Sequence, residues 1–314
     1  MNPYGFGGTG SNRLVTDRND TRALPSPNSD LRSLLQKAIR RGQIELARSI
    51  VHRLVELNDR DWLRRRAFVF VFEEAWDTAH IFAEDLVSGR YSQVIEGLCD
   101  ARKDRSAASL GAMAYAFSQG DQTVLSFAPD SDLLRNLAEG LTDAQGFWTT
   151  QCNELPAWRS LAASQVVRTG IRLGNWPWDK AAMLASLLLV PCGNGSEIQS
   201  QATRIELPLW VALDRHTLQG KKAISEVASQ VNLSETQVGW LAFIFEGARA
   251  SNSRQSVWWD AEVTWRLSSL GLTREKASTH WQKLELILPK FLDTATESLN
   301  DRLKCNQVSL FGEI

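Results

Sequence analysis

A short segment in the second half of the chain carries the side chains best suited to chemistry. Asp214, His216 and Thr217 lie within four positions, and Lys221 and Lys222 follow one helical turn later. A carboxylate beside an imidazole can hydrogen-bond it and fix its tautomer, as in acid–base pairs. Catalysis would also need a nucleophile or metal ligands, and the other three histidines share no ligand spacing with this pair.

Two non-catalytic interpretations of the same segment compete. In the first, His216, Thr217, Lys221 and Lys222 contact a phosphate or the DNA backbone. In the second, the segment is a capped, hydrogen-bonded corner that fixes the start of a helix. We favour the corner over direct chemistry. An enzyme that acts on nucleic acid through Asp214 and His216 is kept as an alternative, and no cofactor or metal is predicted.

A second set of charged residues lies between positions 31 and 66. This segment holds ten Lys or Arg and four Asp or Glu, although the whole chain has a net charge of −1. Such a helical face can bind the phosphates of DNA. Alternatively, carboxylates elsewhere in the fold balance the charge. The predicted DNA contacts here are Lys37, Arg40, Arg41, Arg64, Arg65 and Arg66.

These residues belong to segments with a helical period. Leu31, Leu34, Leu35, Ala38 and Ile39 form one apolar stripe, and a second stripe runs over residues 44–54. A third helix is expected from Asp61, and its unbroken apolar run over residues 67–72 indicates burial. No stretch alternates well enough for a sheet. The predicted fold is all-α, a helical bundle or collar-like array.

Residues 223–245 also fit a helix-turn-helix. A first helix over residues 223–230 would end before Asn232, and Ser234 would cap a second helix that runs to Phe245. The start of the second helix lacks Lys and Arg, which major-groove readers usually carry. A helical hairpin is therefore preferred, and a DNA-binding regulator is an alternative. A later helix over residues 273–299 contains Pro289, which should kink or divide it.

Two parts of the sequence resemble a known family. SLLQKAIRRG, LARSIVHRLVE and WLRRRAFVFVFEEAW, together with WVALDRHTLQGK, are similar to the helical collar region of the RarA/MgsA family of replication-associated AAA+ proteins. The third helix often ends there in Glu-Asp-(Val/Ile)-Gly; Glu73 matches, Glu74 keeps only the charge, and Trp76 replaces the glycine. The resemblance implies that the chain forms a homo-oligomer and that a separate AAA+ ATPase is a possible partner. The chain contains no Walker A motif.

The last predicted site is a peptide motif. Gln307, Val308, Ser309, Leu310 and Phe311 resemble the bacterial sliding-clamp-binding peptide, Gln-Leu-(Ser/Asp)-Leu-Phe, with valine at its second position. In such a peptide the two apolar side chains fill a pocket, and the glutamine hydrogen-bonds at its edge. Alternatively, the segment folds back and packs Leu310 and Phe311 on its own core.

Composition sets the remaining expectations. Of 314 residues, 43% are hydrophobic and twelve are Trp, so most Trp should be core; a base-stacking platform would need an exposed cluster. The four cysteines form no CxxC pair, and no membrane span or signal peptide is evident, which favours the cytoplasm.

The predicted division of the chain is a disordered segment 1–28, helical parts 29–190 and 198–300, and a mobile tail 301–314.

The function expected from these features is that of a non-enzymatic DNA replication or repair accessory protein. It would bind the sliding clamp through residues 307–311 and DNA through its basic helical face, in association with the nucleoid. The weak peptide would bring the body near primed or stalled DNA, where the basic face adds avidity.

Overall fold

The computed structural model describes residues 28–143, 146–147, 149–150, 169–170, 177–189 and 204–304. The fold is all-α, as predicted. Within the described residues, twelve α-helices occur, and extended pairing is limited to two isolated bridges, Ala75 with Asp104 and Lys103 with Ser253. The helices are α1 (Ser29–Arg40), α2 (Ile44–Glu56), α3 (Arg60–Glu74), α4 (Ala83–Ser88), α5 (Tyr91–Asp100), α6 (Ser106–Ser118), α7 (Ser131–Gly140), α8 (Pro177–Leu188), α9 (Leu218–Val231), α10 (Glu235–Ala242), α11 (Val257–Ser269) and α12 (Arg274–Lys304).

The first three helices follow the predicted pattern. All five residues of the α1 stripe are fully buried, and α1 packs against α2 and α5. The left-handed backbone of Gly42, with φ of +69°, turns the chain from α1 into α2. Residues 67–72 of α3 are all buried, so this helix is apolar on every side because it runs through the core.

Small side chains set the packing of the middle of the fold. A Cβ atom on Gly111 of α6 would lie 2.6 Å from the backbone of Ala181 in α8, so the two helix backbones are in close contact. α6 also packs against α7 and α11. Through α6, the first part of the chain is thus joined to helices that come much later in the sequence.

The helices before and after the predicted boundary between residues 29–190 and 198–300 pack together. The predicted boundary at residues 191–197 lies outside the described residues, and buried side chains on both sides of it belong to one continuous core. α12 passes through Pro289 without a break, so of the two predicted effects the division is absent and the kink stays a prediction. Buried Leu284, Leu288 and Leu292 hold this part of the helix against the core, which offsets the hydrogen bond that proline cannot donate.

Both predicted flanking segments fall largely outside the described residues. Residues 1–27 and 305–314 are not described, so the proposed disorder of the first and mobility of the second stay predictions. The predicted tail began at residue 301, but residues 301–304 belong to α12.

Among the described helices, none is both long and apolar enough to cross a membrane.

Candidate nucleic-acid interface

Three of the predicted DNA-contact residues on α1 are buried. Lys37, Arg40 and Arg41 expose 4%, 4% and 0% of their surface. Lys37 and Arg40 lie in the last turn of α1 and Arg41 directly follows it. This end of the helix is covered by the segments before α9 and after α10. The prediction that these three residues form an exposed basic face is therefore wrong.

Arg40 and Arg41 are instead paired with buried carboxylates. Arg40 Nε donates to Glu74 Oε1 at 2.7 Å, and its Nη1 donates to the Gly247 carbonyl at 2.9 Å. Arg41 Nη2 lies 2.7 Å from Glu246 Oε1 and also donates to the backbone carbonyl of that residue at 2.8 Å. The two arginines thus join α1 to the end of α3 and to the π-helical turn Phe243–Gly247.

The three arginines of α3 divide into two groups. Arg64 and Arg65 are exposed, as a DNA-contact surface requires. Arg66 is largely covered, and its guanidinium group lies 3.0 Å from Glu73 Oε2 and 3.3 Å from Asp179 Oδ1 of α8. Burial raises the pKa of Asp179 to about 6, and the Arg66 charge opposes this rise. Arg66 therefore connects α3 to α8. Of the three arginines, Arg64 and Arg65 keep the exposure that a DNA contact requires.

The Asp214 carboxylate is held by an ion pair and a hydrogen bond with side chains of α1. Asp214 Oδ2 forms an ion pair with Lys37 and accepts from Ser33 Oγ at 3.0 Å, and its Oδ1 accepts from the backbone N–H of His216 at 2.9 Å. Burial alone would raise the pKa of Asp214, but the Lys37 ammonium and the hydrogen bonds outweigh it and hold the pKa well below its usual range. Burial lowers the pKa of Lys37. This carboxylate is ionised and fixes a corner.

Thr217 completes that corner as a helix cap. Its hydroxyl accepts from the Gly220 backbone N–H at 3.0 Å and donates to the Asp214 carbonyl at 2.9 Å, and the residue is fully buried at the start of α9. A direct DNA contact by Thr217 is excluded by this burial. The interpretation of the segment as a capped corner is confirmed. His216, Lys221 and Lys222 are exposed around it.

A small cleft lies beside the corner. Lys37 and Asp214 form its polar wall, Arg215 and His216 also line it, and Phe243 contributes an apolar wall. Its cavity volume is about 40 Å³, which holds water molecules and is too small for a nucleotide. No group of three His, Cys, Asp or Glu side chains within the described ranges is arranged to hold a metal ion.

The predicted hairpin over residues 223–245 is present. Asn232 has the left-handed φ of 55° and ends α9, and Ser234 and Gln237 form a capping box at the start of α10. The Gln237 side chain also donates to the Leu270 carbonyl at 3.0 Å. Because this hydrogen bond holds the Gln237 side chain within the fold, the side chain is not available to read a base edge in a helix-turn-helix.

A cluster of rings and guanidinium groups was not predicted as a site. Arg215 lies over the Trp240 ring, 4.6 Å from its centroid, and Trp240 meets Phe243 edge-on at 5.7 Å. Phe243 meets Trp259 edge-on at 6.1 Å, and Arg105 lies 4.3 Å from the Trp259 centroid. All five residues are half-buried, and we call them the arginine–aromatic strip.

The strip borders the corner and is continued by one further arginine. Arg266 lies 4.2 Å from the Trp240 centroid and 5.1 Å from that of Trp178, and it pairs with Glu262 at 3.3 Å. The high tryptophan content pointed to ring packing of this kind. Its location could not be predicted, because the rings come from three separate elements that only the fold brings together.

No protein-family model, curated protein or solved structure matches this chain.

Proposed function

We propose that this chain is a DNA replication or repair accessory protein without enzymatic activity, recruited by a bacterial sliding clamp. The single observation that carries the proposal is the peptide at residues 307–311, which differs from the clamp-binding pattern only by Val308 in place of leucine. Leu310 and Phe311 would fill the apolar pocket of the clamp, and Gln307 would hydrogen-bond at the edge of that pocket.

The attachment of this peptide to the body supports a tethering role. The described part of α12 ends at Lys304, three residues before Gln307. Near that end, Leu299 is 1% exposed and Arg302 forms an ion pair with Asp30 of α1. A clamp that held the peptide would therefore hold the whole helical body at a short distance, which raises the effective concentration of the body at nearby DNA.

The DNA contacts proposed here are fewer than the sequence suggested. The exposed cations that remain are Arg64 and Arg65 at the start of α3, and Lys221 and Lys222 at the start of α9. Both sites flank α1, since Arg66 bonds to Gln36 and Asp214 bonds to Ser33 of that helix. Four phosphate contacts would give a slope of log affinity against log salt of about −3.6 on duplex DNA.

Other parts of the proposal rest on resemblance alone. The similarity of residues 31–76 and 210–221 to the RarA/MgsA collar region suggests a separate AAA+ ATPase as a partner and assembly of this chain into a homo-oligomer. Association with the nucleoid would follow from the proposed contacts with the clamp and DNA. The contacts between Arg40 and Glu74 lie within the first of these segments, so the resemblance there concerns positions that hold the fold together.

Binding to a purified bacterial sliding clamp tests the proposal. Surface plasmon resonance would compare the full chain with the double variant Leu310→Ala/Phe311→Ala. A matched control is Leu286→Ala/Phe291→Ala, which removes the same two residue types from α12, where they are 66% and 37% exposed. We expect the control to bind like the parent and the tail variant to lose binding. Equal binding by all three proteins would refute the role of the peptide.

A further inference from the structure

We infer that the arginine–aromatic strip binds single-stranded DNA. The inference deepens the proposed function and rests on it, because it names the form of DNA that a clamp-recruited protein would hold. The exposed cations at the starts of α3 and α9 would contact duplex phosphates, and the strip would take the unpaired strand beside the duplex.

The first argument is that two cations of the strip have no carboxylate within 4 Å among the described residues; the charges of Glu74, Glu262 and Glu73 act on Arg105 from farther away. Every other buried or half-buried arginine of the described residues lies within 4 Å of a carboxylate, whereas Arg105 and Arg215 have no such partner among them. A guanidinium group removed from water without an anion is costly, so an anionic ligand at these two positions would stabilise the protein. Phosphate groups meet this requirement with bidentate geometry.

The second argument concerns the unused hydrogen-bond donors of Arg105. Its Nε and Nη1 atoms are buried and have no hydrogen-bond partner among the described residues. Burial lowers the pKa of this side chain to about 10, and the nearby Arg40 charge adds to the effect. Two such nitrogens on one guanidinium group leave bonding capacity that a ligand or a bound water can complete.

The third argument is the alternation of charge with ring surface. Trp240, Phe243 and Trp259 lie between the two guanidinium groups, and each of these residues is half-buried and not enclosed in the core. Bases of single strands stack on aromatic rings and on guanidinium planes, while arginine contacts the backbone. In a duplex the faces of the bases are covered by their neighbours. An acidic peptide would satisfy the arginines and would leave the rings without a role.

Fluorescence anisotropy with a labelled oligothymidine of roughly 16 nucleotides, the upper end of common site sizes, tests the inference. The variants are Arg105→Gln and Arg215→Gln, and the matched control is Arg90→Gln, an exposed arginine outside the strip. Each strip variant should lower the magnitude of the salt slope by about 0.7. Arg90→Gln should leave both slope and affinity unchanged. Equal slopes for all four proteins would overturn the inference.

A photocrosslink locates the strand without relying on variants that change folding. An oligothymidine carrying 5-iodouridine, irradiated with the unaltered protein, should crosslink to peptides that contain Trp240, Phe243 or Trp259. Crosslinks confined to other peptides would overturn the inference. Equal affinity for a duplex of the same length would also overturn it, as would displacement of the strand by a polyglutamate peptide at equal charge concentration. A structure of the complex in which Arg105 contacts only bound water would overturn it as well.

Failure of the inference and failure of the proposed function can be told apart. Arg105→Gln and Arg215→Gln should bind the sliding clamp like the parent, because neither residue belongs to the proposed clamp-binding peptide. The Leu310→Ala/Phe311→Ala variant should bind oligothymidine like the parent. Loss of clamp binding in the parent would refute recruitment and leave the strand site intact; loss of strand binding alone would refute the strip.

Discussion

Replacing Arg40 with alanine should destabilise the fold strongly, and this follows from the surroundings of its partner. The Glu74 side chain is fully buried, and apart from Arg40 its Oε1 accepts only from Gln36 Nε2 at 3.2 Å among the described side chains. Glu74 Oε2 already lacks a hydrogen-bond partner there. The variant would leave a buried carboxylate with little compensation, and the Gly247 carbonyl would lose its donor as well.

The expected cost is large for a single substitution. Removing one member of a buried ion pair costs about 3–5 kcal/mol. Arg64→Ala on the exposed start of α3 is the matched control and should change the free energy of unfolding by less than about 0.5 kcal/mol. Urea unfolding followed by far-UV circular dichroism measures the free energy of unfolding of both variants. The comparison holds if the dependence of that free energy on urea concentration is the same for each protein.

A second variant separates the charge from the packing. Arg40→Met/Glu74→Leu removes both charges and keeps apolar volume, and it should recover most of the stability lost in Arg40→Ala, because a buried pair and its apolar replacement are often close in free energy. An Arg40→Ala protein within about 1 kcal/mol of the parent would refute the buried-pair account.

Other substitutions test the corner and the buried lysine. Thr217→Ala should destabilise the protein by about 1 kcal/mol, since α9 loses its cap, while Thr217→Ser should be nearly neutral; thermal unfolding checks this, and equal melting temperatures would contradict the capping role. Lys103 is fully buried, donates to the carbonyls of Leu98, Cys99 and Ala101, and has a pKa lowered to about 8 by burial. Between pH 8 and 10.5 the unfolded chain therefore binds more protons than the native protein. The free energy of unfolding, relative to that of Lys103→Met, should rise across this window by up to about 3 kcal/mol. Urea unfolding at several pH values measures this difference, and a difference that does not change with pH would contradict the prediction.

Much of the helical framework could be predicted from the sequence, because its signals are local. The α1 stripe, the buried run of α3 and the turn at Asn232 each depend on residues within a few positions of one another. The choice between a kink and a division at Pro289 was left open, because the packing of α12 against α9 and α10 depends on residues far away in the sequence.

The candidate site was predicted less well, for a physical reason. A run of arginines gives the charge of a segment and leaves open which carboxylates will meet it. Lys37 pairs with Asp214, 177 positions later, and Arg41 pairs with Glu246, 205 positions later. A similar separation in sequence hid the strip, whose arginines, Arg105 and Arg215, are 110 positions apart.

The most direct test of the central claim is the affinity of the full chain for a bacterial sliding clamp, measured beside Leu310→Ala/Phe311→Ala at equal concentrations. Clamp recruitment predicts saturable binding by the parent and none by the variant, with the Leu286→Ala/Phe291→Ala control unchanged. Parent and tail variant binding alike, or neither binding at all, would contradict recruitment through residues 307–311.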